Sequence, residues 1–471
     1  MDFSKVKTIY MIGIKGVGMT MLAEFLAQQG YQISGSDTGE TFMTDAVLDK
    51  AGIKVHDHFS KTHLEIKPDL TIYSTAYNEK TNEEVKMVTE GNFKVLTYAQ
   101  ALGEIFNTHY GIAVCGSHGK TTTSAWLGFV LNKAGLQPNV MVGAQVPQFS
   151  GAGLTGSSNL LVVEADEYQN KLQYFNPKMV LLNNIDYDHP DFFPTQASYE
   201  QVFLDFIKKL PKSGKLIVNF DDQIIRKLVS QDIVAQVISY GQHTEADYYA
   251  TEILYQQGRQ YFRVITKHSE EYLLENETSD LGIFSIALNG IHNISNALAV
   301  IAASIELGVD LHSLRAALPE FTGTARRLQI MGEYKEAIII DDYAHHPTEI
   351  RATIQALKQK YPDKKLRIIF HPHTFTRTKT LLDDFGKSFS GADEVVVLNI
   401  YGSAREEHGG VSSQEVVSEI QKNGIENVQW LESLKEVEDY VRATTQVGEV
   451  IVLMGAGDVF RIGQELLKDR N

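Results

Sequence analysis

The sequence predicts an α/β protein of three domains, and three observations lead to that prediction. Apolar strand-like runs alternate with helical segments along most of the chain. Glycine-rich turns connect such a strand to a helix first at Gly13 and again at Gly116. The alternation restarts near residues 108 and 323, and 471 residues exceed one ordinary domain. We therefore expect domains at residues 1–107, 108–322 and 323–471.

The first domain begins with a strand (TIYMIG), a glycine turn (IKGVGM), a helix and a second strand (YQISGSD). Gly13, Gly16 and Gly18 lie in the turn, and Asp37 follows the second strand about twenty residues later, as in a Rossmann-like dinucleotide-binding unit. Lys15 stands where that fingerprint has its second glycine. A dinucleotide, a nucleotide diphosphate at the helix N-terminus and a purely structural turn all remain open.

The central domain begins with an apolar strand, the segment GSHGKTTT from Gly116 to Thr123, and a helix. This is the context of a phosphate-binding P-loop, in which backbone N–H groups surround phosphate oxygens. Lys120 would supply a mobile charge and Thr121 a hydroxyl group for Mg²⁺. Val114 replaces the first glycine of the full Walker pattern, so the loop has the shorter form. The pattern predicts a nucleoside triphosphate ligand, with a ligand-free glycine turn as the alternative.

Acidic side chains follow two apolar strands of the same domain. The segments LLVVEADE and LLNNIDYDH place these groups at the strand ends: Glu164, Asp166, Glu167, Asp186, Asp188 and His189. A metal ion beside phosphates needs hard oxygen ligands, although such residues also cap loops. An alternating region with a hairpin at Gly258 follows, so we expect a mixed, P-loop ATPase-type sheet.

Polar clusters also mark the end of the central domain and the third domain, whose strands AIIID, LRIIF, EVVVL and EVIVLM alternate with helices. That alternation predicts a second Rossmann-like domain. The first cluster, NGIHNISNA, has amide and imidazole groups suited to a base or ribose, and the second, GTARRLQI, has two arginines suited to phosphate. The third, DDYAHHP, lies at a strand end, and the fourth, HPHTFTRTK, has further cations.

Composition and charge exclude several classes of protein. The chain has 43 Lys+Arg against 59 Asp+Glu, a net charge of −16, which argues against nucleic-acid binding. No run approaches the roughly 18 apolar residues of a membrane span, and the start lacks a secretory apolar core. Cys115 is the single cysteine. We expect a cytoplasmic protein without membrane insertion; the sequence predicts no oligomeric state.

Taken in order, GIKGVGM, GSHGKTTT, EADE, NNIDYDH, GIHNISNA, RR, DDYAHHP and HPHTFTRTK resemble the Mur ligase family over nearly the whole chain. The resemblance implies a three-domain enzyme that uses ATP and Mg²⁺ to form an amide bond. The motifs GIKGVGM, GSD, DDYAHHPTEI and PHTFTRTK are most similar to the members that join L-alanine to UDP-N-acetylmuramate. An acyl phosphate would be the intermediate.

The resemblance also implies a role for individual residues. The UDP-sugar would contact Gly13, Gly16, Gly18, Asp37, Ser74, Thr75 and Ala76. ATP would contact Gly116, Ser117, His118, Gly119, Lys120, Thr121, Thr122, His292, Asn293, Arg326 and Asp342. The metal would be held by Thr121, Glu164 and His189, and the amino acid by Tyr343, His346 and Arg377. Lys120, His346 and Arg377 would be the catalytic residues.

Parts of the sequence also fit another substrate or another class of protein. After EADE the chain continues YQNKLQYF, which is closer to the members that recycle a murein tripeptide, so that amine is an alternative substrate. An NAD-dependent oxidoreductase would rest on the first glycine turn alone and would leave GSHGKTTT unexplained. A non-catalytic nucleotide-binding module would form no product.

Overall fold

The fold was analysed in a computed structural model that describes residues 3–42, 44–149, 151–267, 279–402 and 409–468. Within these residues the strands form three sheets that follow one another along the chain. Helices pack on the sheets, and the three-domain α/β architecture predicted from the sequence is confirmed. None of the described helices is both long enough and apolar enough to cross a lipid bilayer.

The N-terminal sheet is parallel, with strand order β3-β2-β1-β4-β5 in the described residues. Its elements are β1 (Thr8–Ile12), α1 (Val17–Gln28), β2 (Gln32–Ser36), α2 (Asp45–Lys50), β3 (Lys54–His56), β4 (Leu70–Tyr73), α3 (Glu83–Glu90), β5 (Val95–Thr97) and α4 (Tyr98–Phe106). Ile12 pairs with both Ser36 and Tyr73. The loops after β1, β2 and β4 therefore meet at one edge, the usual ligand edge of such sheets.

The central sheet is mixed, as predicted, with strand order β15-β14-β13-β12-β11-β10-β6-β9-β7-β8 in the described residues. Its elements are β6 (Tyr110–Cys115), α5 (Lys120–Lys133), β7 (Asn139–Val146), β8 (Gly151–Leu154), β9 (Leu160–Glu164), β10 (Met179–Leu182), α6 (Gln196–Ile207), β11 (Lys215–Asn219), α7 (Gln223–Val229), β12 (Gln236–Gly241), β13 (Tyr248–Gln256), β14 (Arg259–Thr266), β15 (Ser279–Ile286), α8 (Ile291–Glu306) and α9 (Leu311–Ala317). The hairpin predicted at Gly258 joins the antiparallel strands β13 and β14. β6 lies between β9 and β10, so the loops that follow these three strands share an edge.

The C-terminal sheet has strand order β16-β17-β21-β18-β19-β20 in the described residues, with one antiparallel pair, β16 and β17. Its elements are β16 (Gln329–Tyr334), β17 (Ala337–Asp342), α10 (Pro347–Lys360), β18 (Leu366–Phe370), α11 (Phe375–Thr380), α12 (Leu382–Ser388), β19 (Glu394–Val397), α13 (Ser413–Lys422), β20 (Val428–Trp430), α14 (Leu434–Thr444), β21 (Val450–Met454) and α15 (Phe460–Lys468).

The helix that follows the phosphate loop is fixed by burial rather than by amphipathic packing on one face. Residues 121–131 of α5 are all buried between the central sheet and α8. The Trp126 ring stacks on Phe321 at 5.3 Å between centroids, and its indole N–H donates to the Leu318 carbonyl. A helix packed on all sides holds the loop at its N-terminus in one position.

Candidate active site

The phosphate loop, residues 116–121, connects β6 to α5, and its backbone requires glycine at two positions. Gly116 has φ +125°, and a Cβ there would lie 2.7 Å from the Asn184 carbonyl oxygen. Gly119 has φ +78°, and a Cβ there would lie 2.7 Å from Oδ1 of Asn296. The Ser117 N–H donates to the Asn184 carbonyl at 3.0 Å. The loop is thus seated against the end of β10 and the first turns of α8.

The Lys120 ammonium lies over this loop and is held by protein oxygens. It donates to the carbonyls of Gly116 at 2.5 Å and Ser117 at 3.0 Å, and to Oε2 of Glu167 at 3.0 Å. Burial opposes the charge, but the carboxylates of Glu167 and Asp166 outweigh burial and raise the pKa of Lys120 above its ordinary value. Lys120 is therefore a fixed cation at the N-terminus of α5.

Two groups of candidate metal ligands lie beside Lys120. The Thr121 hydroxyl donates at 2.8 Å to Oε1 of Glu164, the last residue of β9. Asp166, Glu167 and His189 form the second group, whose potential ligand atoms all lie within 4.8 Å of one another. The structure thus pairs two of the predicted ligands, Thr121 and Glu164, and places the third, His189, with two carboxylates.

Charge in the second group fits a cation. Burial disfavours the charged form of Asp166, but Lys171 and Lys120 outweigh it and lower its pKa to about 2. Glu167 is fully buried and lies 3.7 Å from Nε2 of His189. Carboxylate oxygens next to a phosphate loop are the ligands that Mg²⁺ prefers.

A cavity of about 710 Å³ extends from the phosphate loop to the C-terminal domain. Its walls include six residues predicted to contact ATP: His118, Gly119, Thr122, His292, Asn293 and Asp342. Burial and the nearby Arg327 lower the pKa of His292 to about 4, so its ring is neutral. The Asp342 carboxylate accepts the N–H groups of Leu328 and Ala344, at 2.7 and 2.9 Å, and so shapes the wall.

Of the two adjacent arginines, Arg327 lines this cavity and Arg326 turns into the C-terminal domain. The Arg326 guanidinium contacts Asp341 at 3.2 Å and the carbonyls of Gly455 and Gly457 at 2.7 and 3.0 Å. The position of Arg326 therefore does not support the nucleotide contact predicted for it. Sequence reasoning named both arginines as phosphate ligands, but spacing alone could not tell which one faces the cavity.

His118 of the phosphate loop links the central and C-terminal domains. Its Nε2 lies 3.0 Å from Oδ2 of Asp186, and its Nδ1 lies 3.2 Å from Oε1 of Glu349 in α10. Burial opposes protonation, but these two carboxylates raise the pKa of His118 to about 9. Although His118, Asp186 and His346 are close enough to hold a metal ion, a charged imidazole with both nitrogens hydrogen-bonded is not a ligand.

The residues predicted to contact the amino acid lie on the C-terminal side of the same region. Nε of Arg377 in α11 donates to Oδ1 of Asp188 at 2.8 Å, and both side chains are buried. His346 caps α10, and its Nδ1 lies 3.5 Å from Asp186. Its buried Nε2 has no hydrogen-bond partner among the described residues. Tyr343 instead packs against the arginine pair.

The residues predicted to contact the UDP-sugar meet at the edge of the N-terminal sheet. A Cβ on Gly13 would lie 2.9 Å from the Ser74 Cβ, and one on Gly18 would lie 2.8 Å from the Tyr98 ring. The turn at residues 74–76 therefore adjoins the glycine turn. Its Thr75 hydroxyl donates to Oε1 of Gln169 at 3.1 Å, across to the central domain. Gly16 and Val17, at the start of α1, are exposed at this edge.

Asp37 and Lys15 are buried at this edge and hydrogen-bond to the loops that form it. The Asp37 carboxylate accepts the Lys15 backbone N–H at 2.7 Å and the Tyr77 hydroxyl at 3.0 Å. The Lys15 ammonium donates to the carbonyls of Thr38 and Glu40, each at 3.0 Å, and points into the loop after β2. The lysine that breaks the dinucleotide fingerprint thus anchors a loop.

Sequence reasoning missed two residues of the site, Tyr199 and Glu349. Tyr199 has the apolar spacing of a core residue in the aromatic helix α6, and its ring is fully buried. Its hydroxyl nevertheless contacts Glu167 and Ser117. Glu349 lies one turn after His345 within DDYAHHPTEI, so its place on the first turn of α10 was a signal that sequence reasoning did not use.

A phosphate loop, carboxylates beside its lysine and a cavity walled by a second α/β domain define a nucleotide-dependent, multidomain enzyme. Three family models match in chain order: "Mur ligase family, catalytic domain" at residues 8–110, "Mur ligase middle domain" at 114–304 and "Mur ligase, glutamate ligase domain" at 326–457. The chain belongs to the Mur ligase family.

Relatives that align over nearly full length agree with this assignment. The UDP-N-acetylmuramate–L-alanine ligase of Desulfitobacterium hafniense is 37% identical, over 98% of this chain and 99% of its own. The ligase of the same name from Alkaliphilus metalliredigens is 36% identical, over 100% and 99%. The UDP-N-acetylmuramate–alanine ligase structure from Thermotoga maritima superposes with a TM-score of 0.80 at 26% identity, covering 98% of this chain and 99% of its own.

Proposed function

We propose that this chain joins L-alanine to the carboxylate of UDP-N-acetylmuramate, with hydrolysis of ATP to ADP and phosphate, in peptidoglycan precursor synthesis. The observation that carries the proposal is the phosphate loop, whose Lys120 pairs with the buried Glu167 carboxylate and whose His118 and Gly119 line the cavity shared with the C-terminal domain. The full-length relatives of this name support the choice of substrates.

The reaction proceeds in two displacements. An oxygen of the sugar-borne carboxylate attacks the γ-phosphorus of ATP, the bond from that phosphorus to the β–γ bridging oxygen breaks, and ADP leaves. The amino group of L-alanine then attacks the acyl carbon through a tetrahedral intermediate, phosphate leaves, and the nitrogen loses a proton. Lys120 and the N–H groups of the phosphate loop stabilise negative charge on the transferred phosphoryl group.

Mg²⁺ fits the acidic residues next to Lys120. Thr121, Glu164 and His189 would hold it, with Asp166 and Glu167 adding negative charge beside His189. When bound, Mg²⁺ neutralises the phosphate charges that would otherwise repel the attacking carboxylate.

The other substrates occupy the flanking domains in this proposal. The UDP moiety lies on the edge formed by the glycine turn and residues 74–76, and the amino acid lies near His346 and Arg377. Thr75 with Gln169 and Asp188 with Arg377 are contacts between the domains, and the proposal requires that the closed domains exclude water, which would hydrolyse the acyl phosphate. The cytoplasmic location expected from the sequence remains a prediction.

The amine substrate is tested by supplying the purified chain with ATP, Mg²⁺ and UDP-N-acetylmuramate and varying the amine. Phosphate release and product mass are followed for L-alanine, glycine, L-serine and the murein tripeptide L-alanyl-γ-D-glutamyl-meso-diaminopimelate. We expect product only, or far faster, with L-alanine. Release only with the tripeptide would refute the proposal and favour the recycling reaction, and Lys120→Ala is the control for contaminating ATPase.

A further inference from the structure

Tyr199 and Glu167 form a buried connection to the catalytic lysine. Glu167 and Tyr199 are both fully buried. The Tyr199 hydroxyl lies 2.9 Å from Oε1 of Glu167, and Oε2 of the same carboxylate accepts Lys120 at 3.0 Å. The three groups are therefore joined in a row, with the carboxylate in the middle.

The ring of Tyr199 has little freedom to move. It packs edge-on against Tyr187, Phe193 and Phe203, with centroid distances of 6.1, 5.1 and 5.2 Å. Aromatic rings in such a cluster hold one another in fixed orientations. The hydroxyl group of Tyr199 in α6 is therefore held in one position next to the phosphate loop.

This hydroxyl group also contacts the loop itself. The Tyr199 hydroxyl lies 2.8 Å from Oγ of Ser117, whose Oγ also donates to the Asp186 carbonyl at 2.7 Å. Tyr199 therefore touches both the carboxylate that pairs with Lys120 and the loop that carries Lys120. Loss of the hydroxyl would remove one contact from Glu167 and one from Ser117.

The contacts of Lys120 show why the position of Glu167 matters. An ammonium group has three N–H donors. In this structure two of them reach the Gly116 and Ser117 carbonyls, and the third reaches Glu167. A phosphate oxygen can be contacted only when one of these acceptors gives up its donor. Glu167 is the one side-chain acceptor of the three, so the Lys120 ammonium can exchange it for a phosphate oxygen and keep its contacts with the two loop carbonyls.

We propose that Tyr199 is a positioning residue for ligation. Its hydroxyl fixes Glu167 as the internal counter-ion of Lys120, which keeps the ammonium directed along the phosphate loop. During turnover the ammonium exchanges the Glu167 carboxylate for a phosphate oxygen. This inference rests on the proposed function where kcat is measured, and on nucleotide binding alone where the affinity for an ATP analogue is measured. Tyr199 itself touches neither substrate nor metal.

A double-mutant cycle of Tyr199→Phe and Glu167→Gln tests the inference. We expect Tyr199→Phe to lower kcat about tenfold, as for a lost hydrogen bond to a charged group, with the KM for UDP-N-acetylmuramate unchanged. In the Glu167→Gln background, Tyr199→Phe should have little further effect, because the carboxylate through which it acts is gone. Additive effects of the two substitutions would overturn the inference.

A matched control separates positioning from general loss of stability. Tyr10 is also a fully buried tyrosine whose hydroxyl donates to a fully buried glutamate, Glu84, at 3.2 Å, but it lies in the N-terminal sheet. Tyr10→Phe should lower the Tm as Tyr199→Phe does and leave kcat unchanged. An equal loss of kcat in both variants would assign Tyr199 a merely structural role.

Calorimetric titration with the non-hydrolysable analogue AMP-PNP and Mg²⁺ keeps the test independent of turnover. The same cycle measured as AMP-PNP affinity should again be non-additive. If no amine yields a product but the binding cycle is non-additive, the proposed function fails and the positioning role stands. If ligation occurs and both cycles are additive, the positioning role fails alone.

Discussion

Replacing Glu349 with glutamine should weaken the contact between the phosphate loop and the C-terminal domain in a pH-dependent way. The carboxylates of Glu349 and Asp186 raise the pKa of His118 to about 9, against an ordinary 6.5. At about 1.4 kcal/mol per unit this difference amounts to about 3 kcal/mol. The Asp186 side chain is 37% exposed, so solvent screens its share, whereas Glu349 is 11% exposed. We therefore assign Glu349 about 2 kcal/mol.

The direction of the pH dependence follows from the raised pKa. Since folding raises the pKa of His118, the stabilisation is complete below about pH 6.5 and is lost as the pH rises through about 9. Glu349→Gln should thus destabilise the protein by about 2 kcal/mol more at pH 6 than at pH 10, where only the contact of Glu349 with Arg327 is still lost. Histidine ring NMR, with His118 assigned from a His118→Asn variant, should show its titration moving down by more than one pH unit.

A second variant at the other carboxylate sharpens this test. In Glu349→Gln combined with Asp186→Asn, burial is left to dominate, and the pKa of His118 should fall below its ordinary value. Titration of His118 near pH 6.5 in the unaltered protein, or the same midpoint in the unaltered and Glu349→Gln proteins, would refute the reasoning.

Three further outcomes are expected. Lys120→Ala should lower ligation about a hundredfold while calorimetry shows UDP-N-acetylmuramate still binding, because the sites proposed for the two ligands lie in different domains; equal loss of sugar binding in a folded variant would contradict this. Arg327→Met should raise the KM for ATP about tenfold. Arg326→Met, which breaks the pair with Asp341, should instead lower the Tm and leave the KM for ATP unchanged. The reverse pattern would contradict the placement of the two arginines. Chelation of divalent cations with EDTA should abolish phosphate release and added Mg²⁺ should restore it; full activity in excess EDTA would rule out the metal role.

The fold was predictable because its signals are local. A strand, a glycine turn and a helix identify the first two domains, the alternation of strands and helices identifies the third, and the turn at Gly258 marks an antiparallel part of the central sheet. The phosphate loop was predictable for the same reason, since Gly116 and Gly119 adopt backbone conformations that favour glycine. These features depend on neighbours in sequence and not on the packing of distant segments.

The features of the site that could not be predicted from the sequence depend on the direction of side chains. Arg326 and Arg327 both contact the Tyr343 ring, but Arg326 also packs on Phe460, and of the two only Arg327 lines the cavity. Tyr199 has the apolar spacing of a core residue, and its hydroxyl acquires a role only because β9 and α6 meet below the phosphate loop. Long-range contacts of this kind leave no local pattern.

The positions of the interdomain contacts imply that domain approach and site assembly are one event. Thr75 belongs to the predicted UDP-sugar turn, His118 to the phosphate loop, and Arg377 to the predicted amino-acid site, yet each contacts another domain, through Gln169, Glu349 and Asp188 respectively. Separating the domains would therefore displace a substrate-binding residue at each of these places. Because an acyl phosphate survives only where water is excluded, a ligase built in this way couples formation of the intermediate to closure. Substitutions at these contacts should accordingly change kcat and KM together, unlike Tyr199→Phe, whose effect we expect in kcat alone.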